Sequence, residues 1–462
     1  MAKEITGFKE ESSQYVVFML TNIRYKDVER FLPDMKALHG ANDPETNRMY
    51  AFGVVGPFIL NHTVETIKKQ VNTCLTLAEK YDIPVYFQMD DCKQYFTFRQ
   101  SGARYFGNEE NCIHKGANGK RYKHFYNDPD MCEWIALPKD GESWGGERYG
   151  KLPRWICDWG NVKNFAHVRG GFPCFNSESF LKWYDNQITE GFVKPLVRRL
   201  NKWKKQGKEY LFAGVCTGWE TMIPDYQDDA VITSGLCPFY SNKLYPWEKT
   251  QFGMHAIYNI KDENGNRLYD TDEKLAAAAE KAGLSLPLFK RELLYKVIHD
   301  YIEHTCKLFY DAGIERLKIV SHTLSRASLL DRQDTFASPI WVNINDYCLP
   351  AWSMAETCPY DMKVIEKTVA ERAEGLNAYA NAEGYASNGG KDEESCKKYI
   401  EDFLGKNARL ITIFGYDYGG AKSVTMGYPR NEDFYFTRLI KDWRAKKLLP
   451  DYDFAKRPLL TK

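Results

Sequence analysis

The chain has 462 residues, which is long for one domain but within the range of a barrel with enlarged loops. Its 63 lysines and arginines balance 62 aspartates and glutamates, so no overall field attracts a polyanion or a membrane surface. Nucleic acid and membranes are therefore not expected as main partners. The twelve cysteines form no Cys-x-x-Cys pair, which argues against a zinc ribbon or redox motif, and the sequence indicates no cofactor.

Aromatic residues make up 15% of the chain, and many of them lie in polar loop sequence. Flat apolar faces with polar edges suit sugar rings as well as core packing. The first residues, MAKEITGFKEESSQ, lack the apolar region of a signal peptide, and no run has the length of a transmembrane helix. As given, the chain is expected in the cytoplasm, or in the periplasm or outside the cell if a leader was removed, so its localisation stays open.

The first part of the chain alternates predicted strands with predicted helices. Apolar runs predict strands over Tyr15–Leu20, Ala51–Leu60, Ile83–Met89 and Tyr210–Thr217. Apolar positions at helical spacing predict helices over Asp27–Leu38, Thr63–Tyr81 and Ser177–Gln206. Residues 92–176 break this regularity with Gly, Asn, Asp, Tyr and Trp, which indicates an aromatic-rich insertion.

The second part repeats the alternation. Its predicted strands are Ala230–Leu236, Leu317–Ser321, Pro339–Asn345 and Leu410–Gly415, and its predicted helices are Asp272–Ala282, Pro287–Ala312, Met362–Glu383 and Asn431–Leu448. Residues 237–285 indicate a second insertion. Eight strand–helix units favour a single catalytic domain over residues 1–462, an α/β (β/α)8 TIM barrel whose insertions lie on the strand-exit face.

Carboxylates follow several of the predicted strands. The run YLFAGVCTGWE ends in Trp219 and Glu220, and the others end in Asp90 and Asp91, in Asn345 and Asp346, and in Asp417. Because the carboxyl ends of parallel strands meet at one face of a barrel, these groups predict one polar active-site face.

With Glu220 just past the fourth predicted strand and Asp346 at the end of the seventh, the chain resembles the (β/α)8-barrel glycoside hydrolases of the large retaining superfamily. In that family the acid/base glutamate follows strand four and the nucleophile glutamate ends strand seven. The resemblance lies in architecture, since Trp219 stands where the family usually has Asn, and no glutamate stands at the expected strand-seven position. It implies cleavage of a glycosidic bond in an oligosaccharide, polysaccharide or glycoconjugate, with Glu220 as general acid/base.

The second carboxylate is left open by the sequence. Its candidates are Asp346, Glu356, Asp90, Asp91 and Asp417. The spacing of the two carboxyls decides between retention and inversion, and the sequence does not give that spacing.

Further side chains are expected to contact a carbohydrate substrate. The candidate sugar platforms are Trp159, Trp219, Trp341 and Trp352, and the candidate polar contacts are His322, Asn343 and Asn345 together with the aspartates.

Two other functions compete with glycoside hydrolysis. The first is a metal-dependent barrel hydrolase or isomerase with Asp90, Asp91, His322 and Asp417 as ligands, although the interpretation preferred here requires no metal. The second is a barrel that binds carbohydrate without cleaving it. The sequence leaves open the sugar, the linkage, exo or endo action and the oligomeric state.

Overall fold

A closed barrel of eight parallel strands forms the centre of the computed structural model. The structure describes residues 13–20, 25–90, 97–98, 112–134, 136–138, 166–167, 173–221, 223, 253–323, 338–354, 361–373, 375–384, 392–417 and 430–460. The barrel confirms the predicted α/β (β/α)8 fold.

The strands follow one another around the barrel in chain order, and the last pairs with the first. They are β1 (Gln14–Leu20), β2 (Arg48–Phe58), β3 (Val85–Asp90), β4 (Phe212–Thr221), β5 (Ile319–Thr323), β6 (Leu349–Trp352), β7 (Tyr379–Asn381) and β8 (Ala408–Ile413). We call the carboxyl ends of these strands the strand-exit end of the barrel and their amino ends the strand-entry end.

Helices pack around the strands. They are α1 (Leu32–His39), α2 (Val64–Tyr81), α3 (Glu178–Asn186), α4 (Lys194–Lys204), α5 (Met254–Tyr258), α6 (Asp272–Lys281), α7 (Leu286–Asp311), α8 (Met362–Arg372), α9 (Glu393–Leu404) and α10 (Tyr435–Arg444). A π-helical stretch, Gln187–Val193, joins α3 to α4.

The sequence explains α2 well. The Thr63 side chain accepts a hydrogen bond from the Thr66 amide and caps the first turn. Apolar residues such as Ile67 and Val71 then recur at helical spacing and are buried against the barrel. No helix among the described residues is both long and apolar enough to cross a membrane.

The strand predictions for the second half of the chain are confirmed for Leu317–Ser321 and Leu410–Gly415 and wrong for Pro339–Asn345. The predicted fifth strand, Ala230–Leu236, lies outside the described residues, and the barrel closes with eight strands that do not include it. The predicted sixth strand corresponds to β5. The predicted seventh strand contains a 3-10 helix, Ile340–Asn343, because its apolar residues pack as a turn that leads into β6.

The predicted helix Met362–Glu383 is also too long. Its first part is α8, which ends at Arg372, and its last part contains β7. Strand seven of the barrel is therefore β7, and the residues that follow it are Ala382 and Glu383.

The two predicted insertions contact each other near the barrel. The ring of Trp134 stacks on His255 of α5 with centroids 3.8 Å apart. One oxygen of the buried Glu133 carboxyl accepts from the amides of His255 and Ala256 at 3.2 Å. Burial raises the pKa of Glu133 to about 8, so this carboxyl is mainly protonated at neutral pH. The division of the chain into one domain with two insertions stays a prediction.

Candidate active site

Contacts with the helices show which side chains of β3 point into the barrel. Phe87 packs edge-on against Phe192 of the π-helical stretch, with ring centroids 5.1 Å apart. Because successive side chains of a strand alternate between its two faces, Tyr86 and Gln88 face the barrel interior. Both are fully buried.

The same argument places His322 of β5 inside the barrel. The hydroxyl of the preceding residue, Ser321, donates to the backbone oxygen of Asn343, which lies outside the strands in the 3-10 helix. The side chain of His322 therefore points inward, and it is fully buried. His322 lies near the end of β5, and its contact with a substrate stays a prediction.

A line of hydrogen bonds joins the ends of three neighbouring strands. Nε2 of His322 lies 2.9 Å from Oγ of Ser353, which follows β6. The Ser353 hydroxyl donates to Oε2 of Glu383, which follows β7, also at 2.9 Å. Glu383 is fully buried, so the barrel holds a carboxyl group at the exit of strand seven.

The two hydrogen bonds share the Ser353 hydroxyl, so the direction of one determines the donor of the other. A hydroxyl has one proton, and that of Ser353 goes to the Glu383 carboxylate. Nε2 of His322 must then carry the proton that it donates to Ser353. The hydroxyl is therefore not activated by the imidazole as in a serine hydrolase, where serine donates to histidine. Ser353 instead orients Glu383.

Tyr86 and Arg409 lie below Glu383 in the interior. Arg409 of β8 donates to the backbone oxygen of Ala213 in β4, 2.9 Å away, and its guanidinium lies 5.1 Å from the ring centre of Tyr15. Since β8 and β4 are opposite each other in the barrel, the Arg409 side chain crosses the interior.

Tyr86 interacts electrostatically with both charged groups, Arg409 and Glu383. Burial raises the pKa of Tyr86 well above its usual value, so the phenol keeps its proton. The centre of the barrel therefore contains a cation, a neutral phenol and a carboxyl group within one buried set.

For some predicted site residues the structure describes only the backbone, and other predicted site residues lie outside the described part of the chain. The backbone of Trp219 and Glu220 is in β4 and that of Asp90 ends β3, so all three lie at the strand-exit end, but their side chains are not described. The predictions for Asp91, Trp159 and Glu356 lie outside the described residues.

Asp346 does not lie at the strand-exit end. It precedes β6, its side chain is 76% exposed, and its nearest cation is Arg316 at 3.9 Å. The predicted strand that placed it beside Glu220 is a 3-10 helix. Asp346 is therefore at the strand-entry end of β6, where it faces solvent.

The two asparagines that were predicted to contact the substrate lie in the turn that precedes β6. Asn343 donates its side-chain amide to the backbone oxygens of Ser321 and Ala351. The side-chain oxygen of Asn345 accepts from the Tyr347 amide at 2.9 Å. Asn343 thus connects the turn to β5 and β6, and Asn345 stabilises the turn itself.

The two predicted sugar platforms with described side chains lie in the helical layer. Trp341 is next to His299 of α7, with ring centroids 5.8 Å apart, and to the guanidinium of Arg372. Trp352 is fully buried and pairs in register with Asn381, whose amide donates to the hydroxyl of Tyr399 in α9. Paired residues share a face of the sheet, so Trp352 also faces the helices.

The remaining predicted contact, Asp417, is half-buried in the turn after β8. In the described part of the chain, the three side chains that could together hold a metal are His299, Asp300 and Glu303 of α7. This group lies on a helix and includes neither His322 nor Asp417. The described geometry thus brings His322 together with Glu383.

Sequence reasoning missed Glu383, Ser353 and Gln88. The segment NAYANAEG, which contains β7, has no β-branched residue, and its alanines favour a helix over a strand. The signal that could have found Glu383 is the family pattern itself, since a glutamate is expected at the end of strand seven.

Comparisons with known proteins were made for the whole chain. No family model matches it, and no curated protein matches it. Among solved structures that resemble it is one from a structural analysis of an exo-beta-agarase, with a TM-score of 0.34 and 12% sequence identity. The match covers 60% of this chain and 39% of that chain. The chain thus spans about two-fifths of that structure's length, and a likeness this slight does not decide function.

Proposed function

We propose that this protein is a glycoside hydrolase that uses Glu220 and Glu383 as its two catalytic carboxyl groups. The observation that carries the proposal is the position of Glu383, fully buried directly after β7 and oriented by Ser353. In the glycoside hydrolases that the chain resembles, the nucleophile glutamate ends strand seven. Once β7 is recognised as the seventh strand, the chain has a glutamate there, and Glu220 remains at the end of strand four.

The two carboxyls have different tasks in this reaction. The glycosidic oxygen needs a proton as its bond breaks, while positive charge develops at the anomeric carbon. Glu383 follows strand seven, where the family that the chain resembles has its nucleophile, and it is therefore assigned as the nucleophile. Glu220 is assigned as the acid that protonates the leaving group and as the base that then activates water. This assignment predicts retention of anomeric configuration.

The partner proposed for the strand-exit end is a carbohydrate, with no nucleic acid or membrane as a main partner. The described interior supplies an acceptor, Glu383, and a neutral donor, Tyr86, close to each other. An acceptor next to a donor suits sugar hydroxyls, which both donate and accept hydrogen bonds.

The test is cleavage of a panel of 4-nitrophenyl glycosides and plant and algal polysaccharides. Glu383→Gln and Glu220→Gln should each lower kcat by on the order of 10³-fold or more, because each removes a group that takes part in bond cleavage. Asp346→Asn is the matched control, since Asp346 lies at the strand-entry end, and it should keep nearly full activity.

More than a tenth of wild-type activity in Glu383→Gln would contradict the proposal. Activity that is lost on treatment with a chelator and restored by a divalent metal would support a metal-dependent hydrolase instead. Binding of a glycan without cleavage would support a binding protein.

A further inference from the structure

The side chain of Gln88 is an exception among the buried glutamines. It is fully buried in β3 and points into the barrel, and among the described residues neither its Oε1 nor its Nε2 has a hydrogen-bond partner. A buried amide without partners costs free energy, because it has lost its hydrogen bonds to water. A ligand bound next to Gln88 would supply the missing hydrogen bonds.

Other buried glutamines of this fold are paired. Gln187 donates to the backbone oxygen of His62 at 2.6 Å and more distantly to that of Ile59. Gln14 at the strand-entry end donates to the backbone oxygens of Leu404 and Ala408 at 3.0 and 2.7 Å. These two glutamines are therefore paired within the protein, whereas Gln88 is unpaired among the described residues and lies at the strand-exit end.

Gln88 lies close along the chain to the proposed catalytic groups. It is two residues beyond Tyr86 toward the strand-exit end, and Tyr86 interacts with Glu383. Gln88 also lies on the strand next to β4, which contains Glu220. The unpaired amide is therefore beside the strand that carries the proposed acid.

The charge of the described strand ends favours an uncharged ligand. The described residues at the ends of β3 to β8 are 88–90, 219–221, 223, 322–323, 352–354, 381–384 and 413–417, and they include no lysine or arginine. A sulfate, phosphate or carboxylate on the ligand would face the Glu383 carboxyl group.

We propose that the Gln88 carboxamide binds two neighbouring hydroxyl groups of an uncharged sugar, with Oε1 accepting from one hydroxyl and Nε2 donating to the other. This inference rests on the proposed function, because it places the sugar ring beside the catalytic carboxyls. It makes Gln88 a specificity residue that selects neutral sugars with adjacent free hydroxyls over uronic acids and sulfated sugars.

The test compares Gln88→Met with Gln187→Met. Methionine keeps the length of glutamine and removes its hydrogen bonds. Without ligand, Gln88→Met should raise the melting temperature by about 1 to 3 °C, because an unpaired buried amide is removed. In contrast, Gln187→Met should lower the melting temperature, because the backbone carbonyls that accept from Gln187 lose their donor. The probes are galactose, glucose, mannose, glucuronate and galacturonate, added to each variant in a thermal-shift assay.

The wild type and Gln187→Met should be stabilised by at least one neutral sugar and by neither uronate, and Gln88→Met should lose at least nine-tenths of that shift. On the glycoside that the wild type cleaves best, kcat/KM should fall about 10- to 100-fold in Gln88→Met. A fall in melting temperature without ligand, an unchanged sugar-induced shift, no shift by any neutral sugar, or a preference for uronates would each overturn the inference.

The two proposals fail in different ways. If Glu383→Gln abolishes cleavage while Gln88→Met binds and cleaves as the wild type does, the role of Gln88 is refuted and the hydrolase remains. If neutral sugars bind through Gln88 but nothing is cleaved, the hydrolase is refuted and the role of Gln88 in sugar binding remains.

Discussion

Buried polar side chains at the two ends of the barrel differ in how they are paired. At the strand-entry end, Arg48 and Gln14 donate to several backbone carbonyls. At the strand-exit end, the amide of Gln88 is buried without a partner among the described residues. Arg48 and Gln14 thus stabilise the fold, whereas Gln88 keeps hydrogen-bonding capacity for a ligand.

Arg48 is the clearest case at the strand-entry end. It is 3% exposed, and its guanidinium donates to the backbone oxygens of four residues in the C-terminal segment. These oxygens belong to Trp443, Leu448, Leu449 and Tyr452, at 2.5 to 2.9 Å. One side chain thereby attaches the last part of the chain to the start of β2.

The largest effect on stability is therefore expected from Arg48→Met. It should lower the free energy of unfolding by on the order of 3 to 5 kcal/mol, because several buried carbonyls lose their donor. The measurement is urea unfolding followed by circular dichroism. Lys447→Met is the control, since Lys447 is exposed and its carboxylate partner is 3.8 Å away; its effect should stay within about 0.5 kcal/mol. Equal stabilities of the two variants would remove the contrast between the ends.

A smaller effect, on activity, is expected at the strand-exit end from Ser353→Ala. Loss of the hydrogen bond that orients Glu383 should lower kcat about 10- to 100-fold with little change in KM, because hydrogen bonds to charged groups contribute about 1.5 to 3 kcal/mol. Ser353→Thr keeps the hydroxyl and should restore most of the activity.

Ser321→Ala provides the matched control for that variant. The Ser321 hydroxyl donates to Asn343 on the outer side of β5, so its removal should affect stability but not kcat. If Ser353→Ala and Ser321→Ala had the same kcat, Ser353 would have no role in positioning Glu383.

The sequence predicts the first half of the barrel better than the second half for a physical reason. The first strands are long apolar runs such as YVVFML, and they are buried over their whole length. In contrast, β6 has four residues and contains a proline, and β7 has three residues in an alanine-rich segment. Short strands of this kind carry little periodicity, because the neighbouring strands supply the pairing that forms them.

The site is predictable to the extent that it depends on position along a strand. The exits of β4 and β5 could be found from the apolar runs that precede Glu220 and His322. The apolar turn before Asp346 has the sequence pattern of a strand, so the sequence predicts Asp346 at the exit of strand seven. In the structure, the residue near that exit is Glu383. The role of Gln88 could not be predicted, since a missing hydrogen-bond partner is a property of the folded structure and not of the local sequence.

The distance between the carboxyl groups of Glu220 and Glu383 in a crystal structure tests the central claim most directly. The proposed reaction predicts that the two groups face each other across the strand-exit end about 5 to 5.5 Å apart, as retention requires. A separation beyond about 10 Å, or a Glu220 side chain directed into the helical layer, would contradict the two-carboxylate mechanism.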